Sequence, residues 1–147
     1  MKVDKTDIKI IKELKVGRKP FKLIADKLSI TENTVRARVK KLTDAGILEI
    51  SSCVDPEKIP GHTVIIIGIK LNSMNLIKKG EELKKLKGVV SVGIVTGRYD
   101  LILTALLNKD FGLLEFLTEE LSKISDIQTT ETFVVYHGFN LKVPLIV

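Results

Sequence analysis

The apolar residues of this chain change their period part-way along, and that change limits the fold more than any other feature. Up to about residue 46 they recur at helical spacing. From His62 onward they gather in β-branched runs interrupted by two further helical stretches. Between the two regimes, Asp55-Pro56 through Pro60-Gly61 holds two prolines and a glycine, a cluster of turn formers. The pattern predicts a helical module over 1–54, a hinge over 55–61 and an αβ module over 62–147.

In the first module, Ile8, Ile11 and Leu14 mark one face of a helix that begins near Asp4. Asp4 and Asp7 sit where carboxylates favour the helix dipole, and Gly17 ends the helix. Pro20 suits a first helical position, and Ile24, Ala25 and Leu28 continue a short second helix. Ser29-Ile30 makes a tight connection to Thr31, a residue suited to an N-cap. A third helix is expected over Glu32–Asp44, with Val35, Val39 and Leu42 inward and Gly46 as its stop. Three short helices with a three-to-four-residue turn before the last form a helix-turn-helix, and Ile47–Val54 is expected to leave it as a strand or hairpin edge.

The outward side of the third helix carries the functional signal. Asn33, Ala37 and Lys40 lie opposite the apolar stripe, with Thr34, Arg36 and Lys41 on its flanks. A helix that enters a DNA groove needs this mixture of amide and hydroxyl groups, one small residue and cations. Arg38 lies nearer the apolar stripe, so it is expected to brace the module as well as touch a phosphate. Residues 1–60 hold 14 Lys+Arg against 9 Asp+Glu, and residues 61–147 hold 10 against 9. Most of the chain's net charge of +6 therefore sits beside this helix, where it suits a polyanion. The expected DNA-contacting set is Thr31, Asn33, Thr34, Arg36, Ala37, Arg38, Lys40 and Lys41.

The second module reads as strand His62–Leu71, helix Leu76–Lys87, strands Val89–Thr96 and Tyr99–Leu107 joined at Gly97-Arg98, helix Asp110–Ile124, strand Ile127–His137 and an apolar extension Lys142–Val147. Leu76, Gly80, Leu83 and Leu86 are expected inward on the earlier helix, and Leu114, Leu117, Leu121 and Ile124 on the later. An internal echo supports two similar halves: Leu83, Lys85, Leu86 and Val89 recur as Leu121, Lys123, Ile124 and Ile127. The order βαββαβ predicts an α+β class, a ferredoxin-like sandwich with both helices on one face of a four-stranded antiparallel sheet. In the last strand Thr130, Thr132, Val134 and Tyr136 share one side, and Ile127, Phe133 and Val135 the other. Apolar residues on both sides call for a partner on the uncovered face. Val134 and Tyr136 are placed there, and a second copy of the chain is the expected partner.

The remaining features narrow the class. Val64–Ile69, one of the longest apolar runs, is far short of a membrane span, and the start of the chain does not read as a secretory signal. A single cysteine, Cys53, has no disulfide or zinc partners and reads as a small, half-buried hydrophobe. A cytoplasmic protein without metal or cofactor is expected. The only histidines, His62 and His137, read as structural.

Over essentially its whole length the chain resembles the Lrp/AsnC, or feast/famine, family of transcriptional regulators. The matching stretches are Asp4–Leu14, Arg18 with Ile24-Ala25, Thr31–Leu42 with Gly46-Ile47, and Val92–Leu103 around the Gly97-Arg98-Tyr99-Asp100 turn. The resemblance implies a (winged) helix-turn-helix that binds double-stranded DNA, and a homodimer that assembles into tetramers or octamers. It also implies a small effector, often an amino acid, held between dimers at Gly97, Tyr99, Asp100, Thr130 and Thr132. Asp100 would take an ammonium group and the two hydroxyls a carboxylate. Two alternatives share the plan: an enzyme resembling sirohaem decarboxylases, and an architectural protein that binds DNA without sequence preference. A regulator with no effector is a variant of the first reading.

Overall fold

The computed structural model describes residues 2–15, 17 and 19–146; Arg18 and the terminal Val147 lie outside them. The chain divides into two compact units, Met1–Ser51 and Ser52–Val147.

The first unit holds α1 (Lys5–Leu14), α2 (Phe21–Leu28) and α3 (Glu32–Asp44). Asp4 is the N-cap of α1 and forms a reciprocal capping box with Asp7. Pro20 stands just outside α2, one position earlier than expected, and Ser29 closes that helix in the left-handed region at φ 54°. Thr31 caps α3 through its side chain. Ile10, Ile24, Ala25, Val35 and Val39 form the core, with Leu14, Phe21, Leu28, Ile30 and Leu48 packed around them.

The strand expected over Ile47–Val54 is shorter than the sequence suggests. Ile47 lies in a bend and residues 48–52 have no regular structure, and only β1 (Cys53–Val54) is a strand, paired with β6 (Val143–Pro144). Leu48 joins the helical core while Ile47 and Ile50 stay exposed, and no other strand lies among the described residues of the first unit to pair with them. Residues 55–61, read as a hinge, hold a 3-10 turn at Pro56–Lys58 with Pro56 buried, and belong to the second unit. Cys53 is exposed rather than half-buried.

The second unit adds β2 (Thr63–Leu71), α4 (Leu76–Leu83), β3 (Val89–Ile94), β4 (Leu101–Leu107), α5 and β5 (Ile127–Val134). The strands form one antiparallel sheet in the order β3-β4-β2-β5. Ile65, Ile67, Ile69, Leu101, Leu103 and Ala105 point to the helices and meet Leu83, Leu86, Phe116 and Leu121 in the main core. On the other face, Val64 and Leu106 are covered by Val143 with Val54 and Leu141 around it. The β1–β6 ribbon thus shields one end of that face. No helix of the described residues is long and apolar enough to cross a membrane.

Two expectations about facing are corrected. The helix α5 runs without a break through α-helical Leu113–Glu115, a π-turn Phe116–Glu120 and a 3-10 turn Leu121–Lys123. The Leu121 N–H reaches back to the Phe116 carbonyl, and this wider turn puts Phe116, not Leu114, into the core. On β5, Val134 pairs with Ile65, Thr132 with Ile67 and Thr130 with Ile69. Directly paired residues share a face, so these three lie on the helix side. The uncovered face instead carries Glu131 and Phe133, opposite Gly68 and Ile66. Tyr136 lies beyond β5 and is 92% exposed.

The phase of α5 is testable. Phe116→Ala is expected to cost the second unit about 3–5 kcal/mol. Leu114→Ala, which the sequence alone marks as a core truncation, is expected to change stability by less than about 0.5 kcal/mol. Denaturant unfolding of the full chain, followed by far-UV circular dichroism, measures both.

Candidate nucleic-acid interface and effector site

The outward surface of α3 is set by its cap and its buried stripe. The Thr31 hydroxyl accepts from the Thr34 N–H at 3.1 Å, and its Oγ1 lies 2.8 Å from the Thr34 hydroxyl. With Val35, Val39 and Leu42 buried, Asn33, Thr34, Arg36, Ala37, Lys40 and Lys41 are exposed and Arg38 is half-buried. Asn33, Thr34, Ala37, Arg38 and Lys41 line one open depression of about 530 Å³, together with Lys2, Asp4 and Asp7.

The cations differ in how they are held. Arg36 pairs with Glu32 at 2.7 Å one turn earlier and lies 5.4 Å from the Phe21 ring centroid. Lys40 pairs with Asp44 one turn later. Arg38 donates to Asp4 and to Asp7, both at 2.7 Å, so one guanidinium ties α3 to the capping box of α1. Asp7 is buried, and this contact holds its carboxylate in place. The Arg38 hydrogen bond, helped by the Asp7 and Thr6 N–H groups, holds the Asp4 carboxyl below its ordinary value of 3.8. Among the described residues Lys41 forms no ion pair.

The five residues expected to hold an effector are not gathered on one side of the sheet. Gly97 is exposed at φ +121° in the loop between β3 and β4. The Tyr99 ring lies on Gly68, where an added Cβ would come within 2.7 Å of it, and its hydroxyl donates to Glu131. That hydrogen bond, together with burial, raises the phenol's pKa above 10.0. Arg98 also reaches Glu131, at 3.2 Å. The Asp100 carboxylate accepts from the Leu71 N–H at 2.9 Å and the Lys70 ammonium at 2.8 Å, and these two contacts lower its pKa. Thr130 and Thr132 face the helix side, whereas Glu131, the partner of Tyr99, faces the other. Within the chain the threonines face away from the Tyr99–Glu131 contact.

A family model described as the Lrp/AsnC ligand binding domain matches residues 64–140, and one described as winged helix-turn-helix DNA-binding matches residues 3–49. The chain belongs to the Lrp/AsnC family. Among its relatives is the HTH-type transcriptional regulator Ptr1 of Methanocaldococcus jannaschii, 30% identical over 93% of this chain and 94% of that protein. The crystal structure of PH0061 is 25% identical with a TM-score of 0.81, covering 97% of this chain and 98% of that one. A Neisseria meningitidis transcriptional regulator solved as an L-Met complex shares the fold, at 22% identity and a TM-score of 0.70, over 99% and 96% of the two chains.

All eight expected DNA-contacting residues lie within the winged helix-turn-helix match, and all five expected effector residues within the Lrp/AsnC ligand-binding match. Four residues that lie against the expected sets were not among them. Lys2 joins the depression beside α3, Asp7 anchors Arg38, and Lys70 and Glu131 occupy the polar groups of the Tyr99-Asp100 turn. Only Asp7 had a local signal, its three-residue spacing from the cap at Asp4. The others meet their partners through tertiary packing.

The Arg38 clamp predicts a measurable loss. Arg38→Ala leaves the buried Asp7 carboxylate without its cation and is expected to cost about 1–3 kcal/mol. The folded-state pKa of Asp4 is depressed, so its contribution is full above pH 3.8 and is lost as the pH falls through the lower folded value. Thermal unfolding below pH 4 should therefore fall more steeply for the wild type than for Arg38→Ala.

Proposed function

We propose that this chain is a transcriptional regulator that places α3 in the DNA major groove, acts as a homo-oligomer and responds to a small effector of the amino-acid class. The observation that carries the reading is the outward surface of α3. Its N-terminal half presents Asn33, Thr34 and Ala37, groups suited to base edges, while Arg36, Lys40 and Lys41 follow as cations. The Glu32–Arg36 and Lys40–Asp44 pairs are exposed and worth only about 0.3–0.5 kcal/mol each, so a phosphate can displace either acid. Arg38 serves to set the pitch of α3 and not as a primary phosphate ligand.

Self-association uses the uncovered face of the β3-β4-β2-β5 sheet. Phe133 is 45% exposed there, beside Ile66 and Gly68. An apolar surface of this kind is stabilised by a second copy, and an assembly of two copies carries two α3 helices. An effector's ammonium group would exchange with the Lys70 ammonium on Asp100, keeping the charge of the turn constant. The ligand-binding family match and the L-Met complex of the structural neighbour support this class of ligand.

Three measurements test the reading on the intact chain. Lys41→Ala should weaken binding to all duplexes alike and lower the salt slope by about one unit. Asn33→Ala should instead reduce discrimination by about 1–3 kcal/mol at one base position. A wild type that ignored duplex DNA at low salt would end the proposal. Phe133→Asp should shift sedimentation to monomers while Val134→Asp does so less, and equal behaviour would place the interface elsewhere. In thermal melts with each common amino acid, an effector at a hundred times its dissociation constant should add about 2.7 kcal/mol, and Asp100→Ala should abolish that gain.

A further inference from the structure

The charges of the first unit are sorted in a way that α3 alone does not explain. The acids of α1 and its cap are all engaged by cations from elsewhere in the unit: Asp4 and Asp7 by Arg38 of α3, and Glu13 by Lys19 and Lys27. The lysines of the same segment are left over. Lys2, Lys5, Lys9 and Lys12 are exposed, and among the described residues none of them has an ion-pair partner. On a helix, Lys5, Lys9 and Lys12 fall at i, i+4 and i+7 and share one stripe. A solvated face of ordinary composition would pair such lysines with carboxylates on the same surface. Here Asp7 and Glu13 are largely buried, and Asp4, though exposed at the end of the stripe, is already paired with Arg38, so the stripe is cationic.

The stripe is also continuous with the α3 surface. The depression lined by Lys2, Asn33, Thr34 and Lys41 shares Asp4 with a second open groove, along which Lys5, Lys9 and Lys12 lie. Asp4 at this junction is held by the Arg38 guanidinium. From Lys5 to Lys12 the helix rises about 10 Å, the axial length of about three phosphates on one DNA strand.

We propose that the lysine stripe of α1, continued by Lys2, is a second DNA-contacting surface that holds the phosphate backbone flanking the groove entered by α3. The inference rests on the DNA-binding reading above and extends it from one helix to two. In this division of labour, Arg36 and Lys40 must release an acid when they contact DNA, whereas the α1 lysines release only counterions. The stripe therefore supplies sequence-independent affinity, and α3 supplies the choice of site.

The test uses the full-length protein with two probes, a random-sequence duplex and a duplex from upstream of the protein's own gene. The triple variant Lys5→Gln, Lys9→Gln, Lys12→Gln should lower affinity for both duplexes by the same factor. It should also reduce the slope of log K against log salt by about 2.7 units, with the melting temperature and the preference between duplexes unchanged. A control that removes three exposed lysines of the second unit, Lys78→Gln, Lys85→Gln and Lys123→Gln, should leave the slope within about half a unit of wild type. If the α1 variant keeps the wild-type slope, or if the control lowers it equally, the second surface is refuted while the α3 reading stands. If the wild type binds neither duplex, the DNA-binding reading itself falls.

Discussion

The pairing of β2 with a neighbour on each side is the constraint on which the second unit depends. Its Ile65, Ile67 and Ile69 face the helices, and every residue paired with them must do the same. Because the side-chain period of a strand is two, a slip of one residue would invert whole faces. Leu101, Leu103 and Ala105 of β4 follow this register into the core, and Thr130, Thr132 and Val134 of β5 follow it onto the helix side. The same register leaves Gly68 facing the uncovered side, where its missing side chain makes room for the Tyr99 ring. The geometry of the Tyr99–Glu131 contact is thus a consequence of how β2 is seated.

A different kind of constraint organises the first unit. Its core is small, and the orientation of α3 depends in addition on one guanidinium shared between two carboxylates of α1. Breaking such a partly buried arrangement is costly, although forming it also costs desolvation, so its main effect is to specify position more than to add stability. It has a second consequence. By engaging the acids of α1, Arg38 and the Lys19 and Lys27 pair leave the outer lysines without local counter-charge. Structural ion pairs on the inside and an unbalanced field on the outside are two results of one distribution of charge.

The β3–β4 turn shows the same economy with opposite sign. Asp100, the acid that resemblance assigns to an incoming ammonium, already accepts from the Lys70 ammonium and the Leu71 N–H, and Glu131 already accepts from Tyr99. The charged groups of the turn are therefore already paired within the chain. A group that displaced Lys70 from Asp100 would exchange one satisfied state for another, so only the difference between the two would count.

Much of this protein is local enough to be written in its sequence. The helical period of Ile10, Ile24, Val35, Val39 and Leu42, the caps at Asp4 and Thr31, the left-handed Gly46 and the βαββαβ order all arise from residues within a few positions of one another. The polar chemistry of α3 was legible for the same reason, since burying one stripe exposes the opposite one. Where neighbours along the chain do not settle the answer, the sequence was ambiguous. β5 carries apolar residues on both sides, with Val134 on one and Phe133 on the other, and only its pairing to β2 selects the face. Either Leu114 or Phe116 could have faced inward on α5, and the wider turn against the sheet selected Phe116. Ile47–Val54 had strand-forming residues but found only two positions with a partner. Local periodicity encodes which surfaces a segment can present; register and ion pairing depend on distant residues, so the tertiary structure alone decided which of those surfaces is used.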